Sequence, residues 1–207
     1  MPLADKAGRS YNAGTMPVTP HSEMPAQERA AHQLITPDAL VQLSLADARE
    51  VVRYMQPQRV DAGTAIFQAG ESADVDYMLL VIDGDVTVEG QASATSEGMV
   101  VTVLGAGSLI GEMGLIDGEP RSATCIAATD LSVGKLSRKA LAKLIQDKPA
   151  VGARLLLAIS KRLSDHLREA NRKLMTFTQV SRALQQELDA VHAVNRRLLA
   201  PKYGADN

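Results

Sequence analysis

Cysteine is almost missing from this sequence. Cys125 is the one among 207 residues, so no intrachain disulfide can form. It lies in a Thr-Cys-Ile run that reads as a strand. Nothing beside it in sequence supplies a base, so a small buried core residue is expected rather than a nucleophile. No apolar run reaches the roughly 18 residues that a membrane-spanning helix needs. The N-terminus has no hydrophobic signal core. A cytoplasmic location without a membrane span is therefore expected. His21, His32, His166 and His192 are scattered and lack metal-ligand spacing. No Ser-His-Asp order or other catalytic constellation can be drawn. Neither a metal site nor an enzyme activity is expected.

Positive charge is scarce over most of the chain. Residues 1–152 hold 12 Lys/Arg against 19 Asp/Glu, a net of −7. Residues 153–202 reverse this, with 10 Lys/Arg against 4 Asp/Glu, a net of +6. Such a segment suits nucleic acid, an acidic partner or simply a solvated helix face. The apolar content of 45% is ordinary for a globular protein, and the length fits one or two domains.

Residues 1–32 are rich in Pro, Gly, Ala and polar residues and show no periodicity, which predicts a disordered segment. A helix is expected from about 37 to 55, with Thr36-Pro37 as N-cap and first-turn proline and Pro57 as its stop. Residues 58–136 then change character. Short runs such as 65–67, 77–82, 86–88, 100–104 and 123–136 alternate with Gly- and Asp-bearing turns, the spacing of an antiparallel barrel or sandwich. Gly105-Ala106-Gly107 invites a dinucleotide-fold reading. The next glycine, Gly111, comes one position too late, and no βαβ unit surrounds it, so that reading is rejected. A short helix is expected over 137–147, capped by Ser137 and ended by Pro149. From 150 to about 200 there is no proline, and Gly152 is the single glycine, so one long helix is expected with Gly152 as a hinge near its start.

Gly111-Glu112-Met113-Gly114-Leu115, followed by Pro120-Arg121-Ser122-Ala123-Thr124, carries the strongest chemical signal. Arg121 can neutralise a phosphate and fork onto it. The glycines let backbone N–H groups approach closely. Glu112 is a poor phosphate ligand but a good acceptor for a ribose hydroxyl. A plain Glu112–Arg121 salt bridge bracing a surface turn is the bland alternative. The segment closely resembles the phosphate-binding cassette of cyclic nucleotide-binding domains, as found in the bacterial catabolite activator protein and in regulatory subunits of cyclic-nucleotide-dependent kinases. Gly63, Gly70, Tyr77, Gly84 and Gly107 fall where that family's eight-stranded β-roll carries its turn glycines and strand aromatic. The resemblance covers about residues 40–170.

The resemblance implies an α+β fold: an antiparallel β-roll (a double-stranded β-helix) with flanking helices and a long C-terminal coiled-coil helix. Together with the composition of the N-terminus and the pattern of the long helix, it divides the chain into a disordered segment 1–32, the β-roll domain 33–149, a dimerisation helix 150–200 and a tail 201–207. It implies that Gly111, Glu112 and Met113 open the cassette and that Glu112 accepts the ribose 2′-hydroxyl. Arg121 would pair with the phosphate oxygens, Ser122 would donate to one of them, and Ala123 would be small where the backbone passes the ligand. In the activator a Thr-Ser pair on the long helix contacts the adenine. Counting without gaps from Arg121, those positions hold His166 and Leu167, a departure from the pattern. His166 then serves either as a base contact or as a flank of a helical seam. Serine after the arginine fits the activator branch, whereas relatives preferring cyclic GMP often have threonine there, so cAMP is favoured over cGMP.

Apolar residues recur every seventh position along the long helix, at Leu156, Leu163, Ala170, Phe177, Leu184, Val191 and Leu198. The companion set reads Ser160, Leu167, Leu174, Ser181, Leu188 and Asn195. This is a coiled-coil heptad, and about 50 residues at 1.5 Å each make a helix of roughly 75 Å, longer than a small β-roll can cover. A parallel homodimer is expected. No helix-turn-helix fits after Pro201, so no specific DNA binding is expected and the output falls to a protein partner. Two functions stand: a cyclic-nucleotide-responsive regulator, or a dimeric scaffold with a silent pocket.

Overall fold

A computed structural model describes residues 24–90 and 99–199. Two four-stranded antiparallel sheets form the centre of the molecule. One has the order β1 (Gln56–Val60), β8 (Leu131–Ser137), β3 (Tyr77–Asp83), β6 (Leu109–Ile110). The other has the order β2 (Ala65–Phe67), β7 (Thr124–Ala127), β4 (Val86–Gly90), β5 (Met99–Leu104). This is the expected β-roll.

β3 is apolar at nearly every position because it is covered on both faces. Leu79 and Val81 point between the sheets, where they meet Phe67, Val86, Cys125 and Val133. Met78, Leu80 and Ile82 point outward into a second core built with the helices. The turn glycines Gly63, Gly70, Gly84 and Gly107 all take positive φ. At Gly84 the demand is also steric, since a Cβ would lie 2.5 Å from the Asp130 carbonyl oxygen.

Among the described residues four helices flank the sheets, and a fifth short one, α3 (Glu112–Asp117), interrupts the roll. α1 (Ala26–Leu34) corrects the expectation of disorder for its part of residues 1–32. Ala30, Ala31 and Leu34 fall on one face of it and are buried in the outer core. Residues 1–23 and 201–207, the rest of the expected N-terminal segment and the expected tail, lie outside the described residues. The helix expected over 37–55 is also shorter. Residues 37–42 form turns, and α2 runs Leu45–Val52 with Ser44 as its N-cap. Thr36 does not cap a helix because its hydroxyl donates to the Gly107 carbonyl at 2.9 Å.

α4 (Arg138–Asp147) begins as expected, with the Ser137 hydroxyl accepting from the Ala140 N–H at 3.2 Å. α5 runs without a break from Pro149 to Leu199. Proline at its first position needs no N–H partner. Gly152, expected as a hinge, sits inside α5, where a Cβ would lie 2.7 Å from the Cγ1 of Ile145. It is there to let α4 and α5 pack closely.

The root of α5 is docked through Val151, Leu155, Ala158 and Ile159, all buried in the outer core. Leu156 and Leu163, two of the expected seam positions, also pack against that core. Beyond them the helix leaves the domain. Leu167, Leu174, Phe177, Leu184, Leu188 and Val191 are all exposed, Phe177 by 73%.

Candidate functional site

The chain turns sharply where β6 meets α3. Gly111 caps α3 at φ +77°, and Gly118 closes it at φ +75°. A Cβ at Gly111 would lie 2.7 Å from Nη1 of Arg121 and 2.8 Å from the Phe67 ring. A Cβ at Gly114 would lie 2.5 Å from the Val75 carbonyl. Both positions need glycine because the backbone is pressed against the Arg121 side chain and its surroundings.

Arg121 is 6% exposed. Its Nη1 donates to the Tyr77 and Gly111 carbonyls, each at 3.1 Å, and its Nη2 donates to the Asp74 carbonyl at 3.3 Å. Its guanidinium lies 3.9 Å over the Phe67 ring and 4.7 Å over Tyr77. Aromatic faces favour a planar cation, so this pedestal fixes its orientation. Burial pulls its pKa down from the usual value, yet arginine remains a cation in proteins. The Arg121 backbone is anchored too, its N–H donating to the Glu71 carbonyl at 2.9 Å.

Glu112 is also buried, at 7% exposed. It faces α5 rather than Arg121, so the simple Glu112–Arg121 brace is not what the fold contains. Its Oε1 lies 3.5 Å from Nε of Arg162 and 3.7 Å from Nδ1 of His166. Arg162 was not anticipated from sequence. The available signal was its place one helical turn before His166, on the same face. Its Nη2 donates to the Leu109 carbonyl at 3.2 Å and its Nη1 to the Asp38 carbonyl. Its Nε is buried and makes no hydrogen bond, although it stands within ion-pair range of Glu112.

Gly111, Glu112, Met113, Arg121, Ser122, Ala123 and His166 all line one cavity of about 320 Å³, together with Arg162. Leu167 is not among the lining residues. Ser122 is exposed, its Oγ 3.9 Å from the Met113 sulfur. Val88 from β4, Thr102 from β5 and Cys125 from β7 also line it. Burial pushes the Cys125 thiol up to about 11, so it is protonated at neutral pH and is not an activated nucleophile. Among the described residues no cluster of His, Cys, Asp and Glu could hold a metal ion, and no helix is long and apolar enough to cross a membrane.

The arrangement suits a cyclic nucleotide. A buried cation and a buried carboxylate line one cavity without pairing to each other, the carboxylate beside an orphaned N–H. The volume is in the range of small-ligand pockets.

Residues 57–148 match the model of the cyclic nucleotide-binding domain family. Among curated proteins, the chain is 43% identical over 102 residues to a cyclic nucleotide-gated potassium channel of Rhizobium etli, covering 49% of this chain and 26% of the channel. It is 27% identical over 140 residues to a CRP-like cAMP-activated global transcriptional regulator of Mycobacterium tuberculosis, covering 67% of this chain and 59% of that protein. The chain thus spans from about a quarter to three-fifths of these relatives. Among solved structures, a cyclic nucleotide-binding domain from Methylobacillus flagellatus superposes with a TM-score of 0.61 at 28% identity, covering 72% of this chain and 82% of that one. Thermus thermophilus catabolite activator protein superposes with a TM-score of 0.57 at 27% identity, covering 70% and 63%. Sequence and roll topology agree that residues 57–148 form a cyclic nucleotide-binding domain, which has catabolite-activator-like structures among its neighbours and is followed by a long helix, α5.

Proposed function

We propose that this protein is a sensor of a 3′,5′-cyclic mononucleotide, with cAMP preferred over cGMP. One observation carries the reading: Arg121 and Glu112 are both buried on the wall of one cavity, without pairing to each other. Burying two opposite charges costs several kcal/mol each unless partners are supplied. Here carbonyls, aromatic faces and Arg162 compensate in part, and a ligand bearing a phosphate and adjacent hydroxyls would complete the set. Arg121 is assigned to the phosphate and Glu112 to the ribose. Met113, Ser122 and Ala123 are assigned to the cassette wall, and His166 to the mouth near the base. Ser122 and the likeness to a regulator named as cAMP-activated support cAMP.

The reading extends to a homodimer joined through α5, supported by the exposed apolar stripe from Leu167 to Val191. An effector protein reading the helix is the assigned output. Calorimetric titration with cAMP, cGMP and cyclic-di-GMP tests the ligand. Saturable binding is expected for both mononucleotides, tighter for cAMP. No heat from either mononucleotide at millimolar concentration would leave the silent-pocket scaffold as the better account.

A further inference from the structure

Two arginines hold opposite ends of α3. Arg121 takes the Gly111 carbonyl at the N-terminal end. Arg138, the first residue of α4, takes the other end. Its Nε donates to the Leu115 carbonyl at 3.0 Å, and its Nη2 donates to the Gly114 carbonyl at 2.9 Å. Carbonyls in the last turn of a helix run out of intrahelical partners; the Gly114 carbonyl still accepts the Gly118 N–H at 3.0 Å, and Arg138 adds a second donor there and supplies one to Leu115. The fit is close: a Cβ at Gly118 would lie 3.0 Å from Nη2 of Arg138 and 3.1 Å from its Nη1. The Arg138 backbone is pinned as well, its N–H donating to the Asp76 carbonyl at 2.8 Å. Arg138 does not line the nucleotide cavity. It stands instead at the joint between the cassette and the α4–α5 pair.

The two clamps differ in what can loosen them. A phosphate oxygen is a stronger acceptor for Arg121 than a neutral carbonyl. A ligand phosphate therefore competes with Tyr77, Gly111 and Asp74 for that guanidinium, and α3 must readjust at its N-terminal end. Arg138 faces no such competitor. Leu115 and Leu141 also share the outer core, but apolar contacts are non-directional and slide. The two charge-assisted bonds fix the position of α3 on α4. From α4 the coupling continues through the tight Ile145–Gly152 contact to α5.

We propose that Arg138 is the positioning residue that converts a ligand-driven shift of α3 into a shift of α4 and the root of α5. The inference rests on the cyclic-nucleotide reading of the cavity. The test is hydrogen exchange of the full chain, with and without saturating 3′,5′-cAMP, alongside calorimetry. In the unaltered protein, cAMP is expected to change exchange in residues 112–118 and also in 138–156. In Arg138→Gln, affinity should stay within about threefold and the change over 112–118 should remain. The change over 138–156 should fall to roughly a quarter or less, since Arg138 bonds α3 and does not line the cavity. Arg138→Lys offers one ammonium in place of the two-pronged guanidinium and should keep about half the response.

The proposal is overturned if Arg138→Gln keeps the full response over 138–156. It is overturned too if that variant loses binding by more than about tenfold, which would place Arg138 in the site itself. Where Arg138→Gln does not fold, a response in Arg138→Lys equal to that of the unaltered protein overturns it. An unaltered protein that gives no heat with cAMP contradicts the ligand reading. One that binds cAMP without a change over 138–156 contradicts the coupling alone.

Discussion

At the scale of single residues, the proposed capture of a cyclic nucleotide turns on Arg121. Its pedestal of Phe67 and Tyr77 and its three carbonyl partners hold the guanidinium plane in place. Truncating a desolvated, charge-assisted contact costs roughly 2–5 kcal/mol. Arg121→Ala should therefore weaken cAMP binding at least about tenfold, one decade being ~1.4 kcal/mol. Arg121→Lys keeps the charge and loses the planar fork, so it should also bind clearly less well. Calorimetry checks both, and an alanine variant with unaltered affinity would remove Arg121 from the site. Cys125 reports on the same cavity. Its thiol is buried and pushed up to about 11. Its reaction with a thiol-specific disulfide reagent in the folded protein should be slow at pH 7, rise about tenfold per pH unit up to pH 10, and slow further with cAMP bound. A fast reaction at neutral pH, indifferent to cAMP, would show that the wall is open.

At the scale of elements, α5 is held to the domain by more than apolar packing. Asp47, on α2, is buried and receives two bonds from Arg154, at 2.6 and 2.9 Å. The Arg154 hydrogen bonds hold the Asp47 carboxyl below its usual range. Because the folded pKa is depressed, this stabilisation is present above the unfolded value near ~3.9 and is lost as pH falls through the folded pKa. Asp47→Asn should cost about 1–2 kcal/mol near neutrality, below the figure for a fully buried pair because Arg154 is half exposed. The deficit should stay constant from about pH 5 to 7 and shrink progressively as pH falls below about 4 toward the lowered folded pKa. Thermal melts of the two proteins across that range measure it. A deficit as large at pH 3 as at pH 6 would mean that the residue acts through packing rather than charge.

At the scale of the whole molecule, the far two-thirds of α5 shows apolar side chains that its own domain does not cover. Leu174 and Leu184 are 63% and 61% exposed. Exposed stripes of this size and period mark a contact surface. A combined Leu174→Glu and Leu184→Glu variant should leave the domain fold intact, because neither side chain touches the core. It should still dissociate the expected dimer, since two uncompensated charges in a seam are costly. Light scattering at about 10 μM separates the states, with circular dichroism as the folding control. A monomer in the unaltered protein would contradict the helix-joined dimer. With a dimer in hand, any motion that Arg138 passes to the root of α5 would reach both copies.

Although its two charges, Glu112 and Arg121, find their partners far away in sequence, the segment 111–123 was legible in the amino-acid order because it is contiguous and its glycine turns act on near neighbours. The same holds for the Ser137 cap, for the positive-φ glycines at tight turns, and for the unbroken helical register of 149–199. These are local chemistries, carried by adjacent residues. The tertiary structure decided what depends on partners distant in sequence. α1 is nine residues long, too short to be stable on its own, and it exists because Ala30, Ala31 and Leu34 find a core. Leu156 and Leu163 have the heptad spacing of a seam, yet the domain claims them. Above all, Arg162 reaches Glu112 because the root of α5 is laid across the mouth of the roll. Periodicity can say which face of a helix is apolar; only the closed chain determines which distant side chain that helix brings to the site.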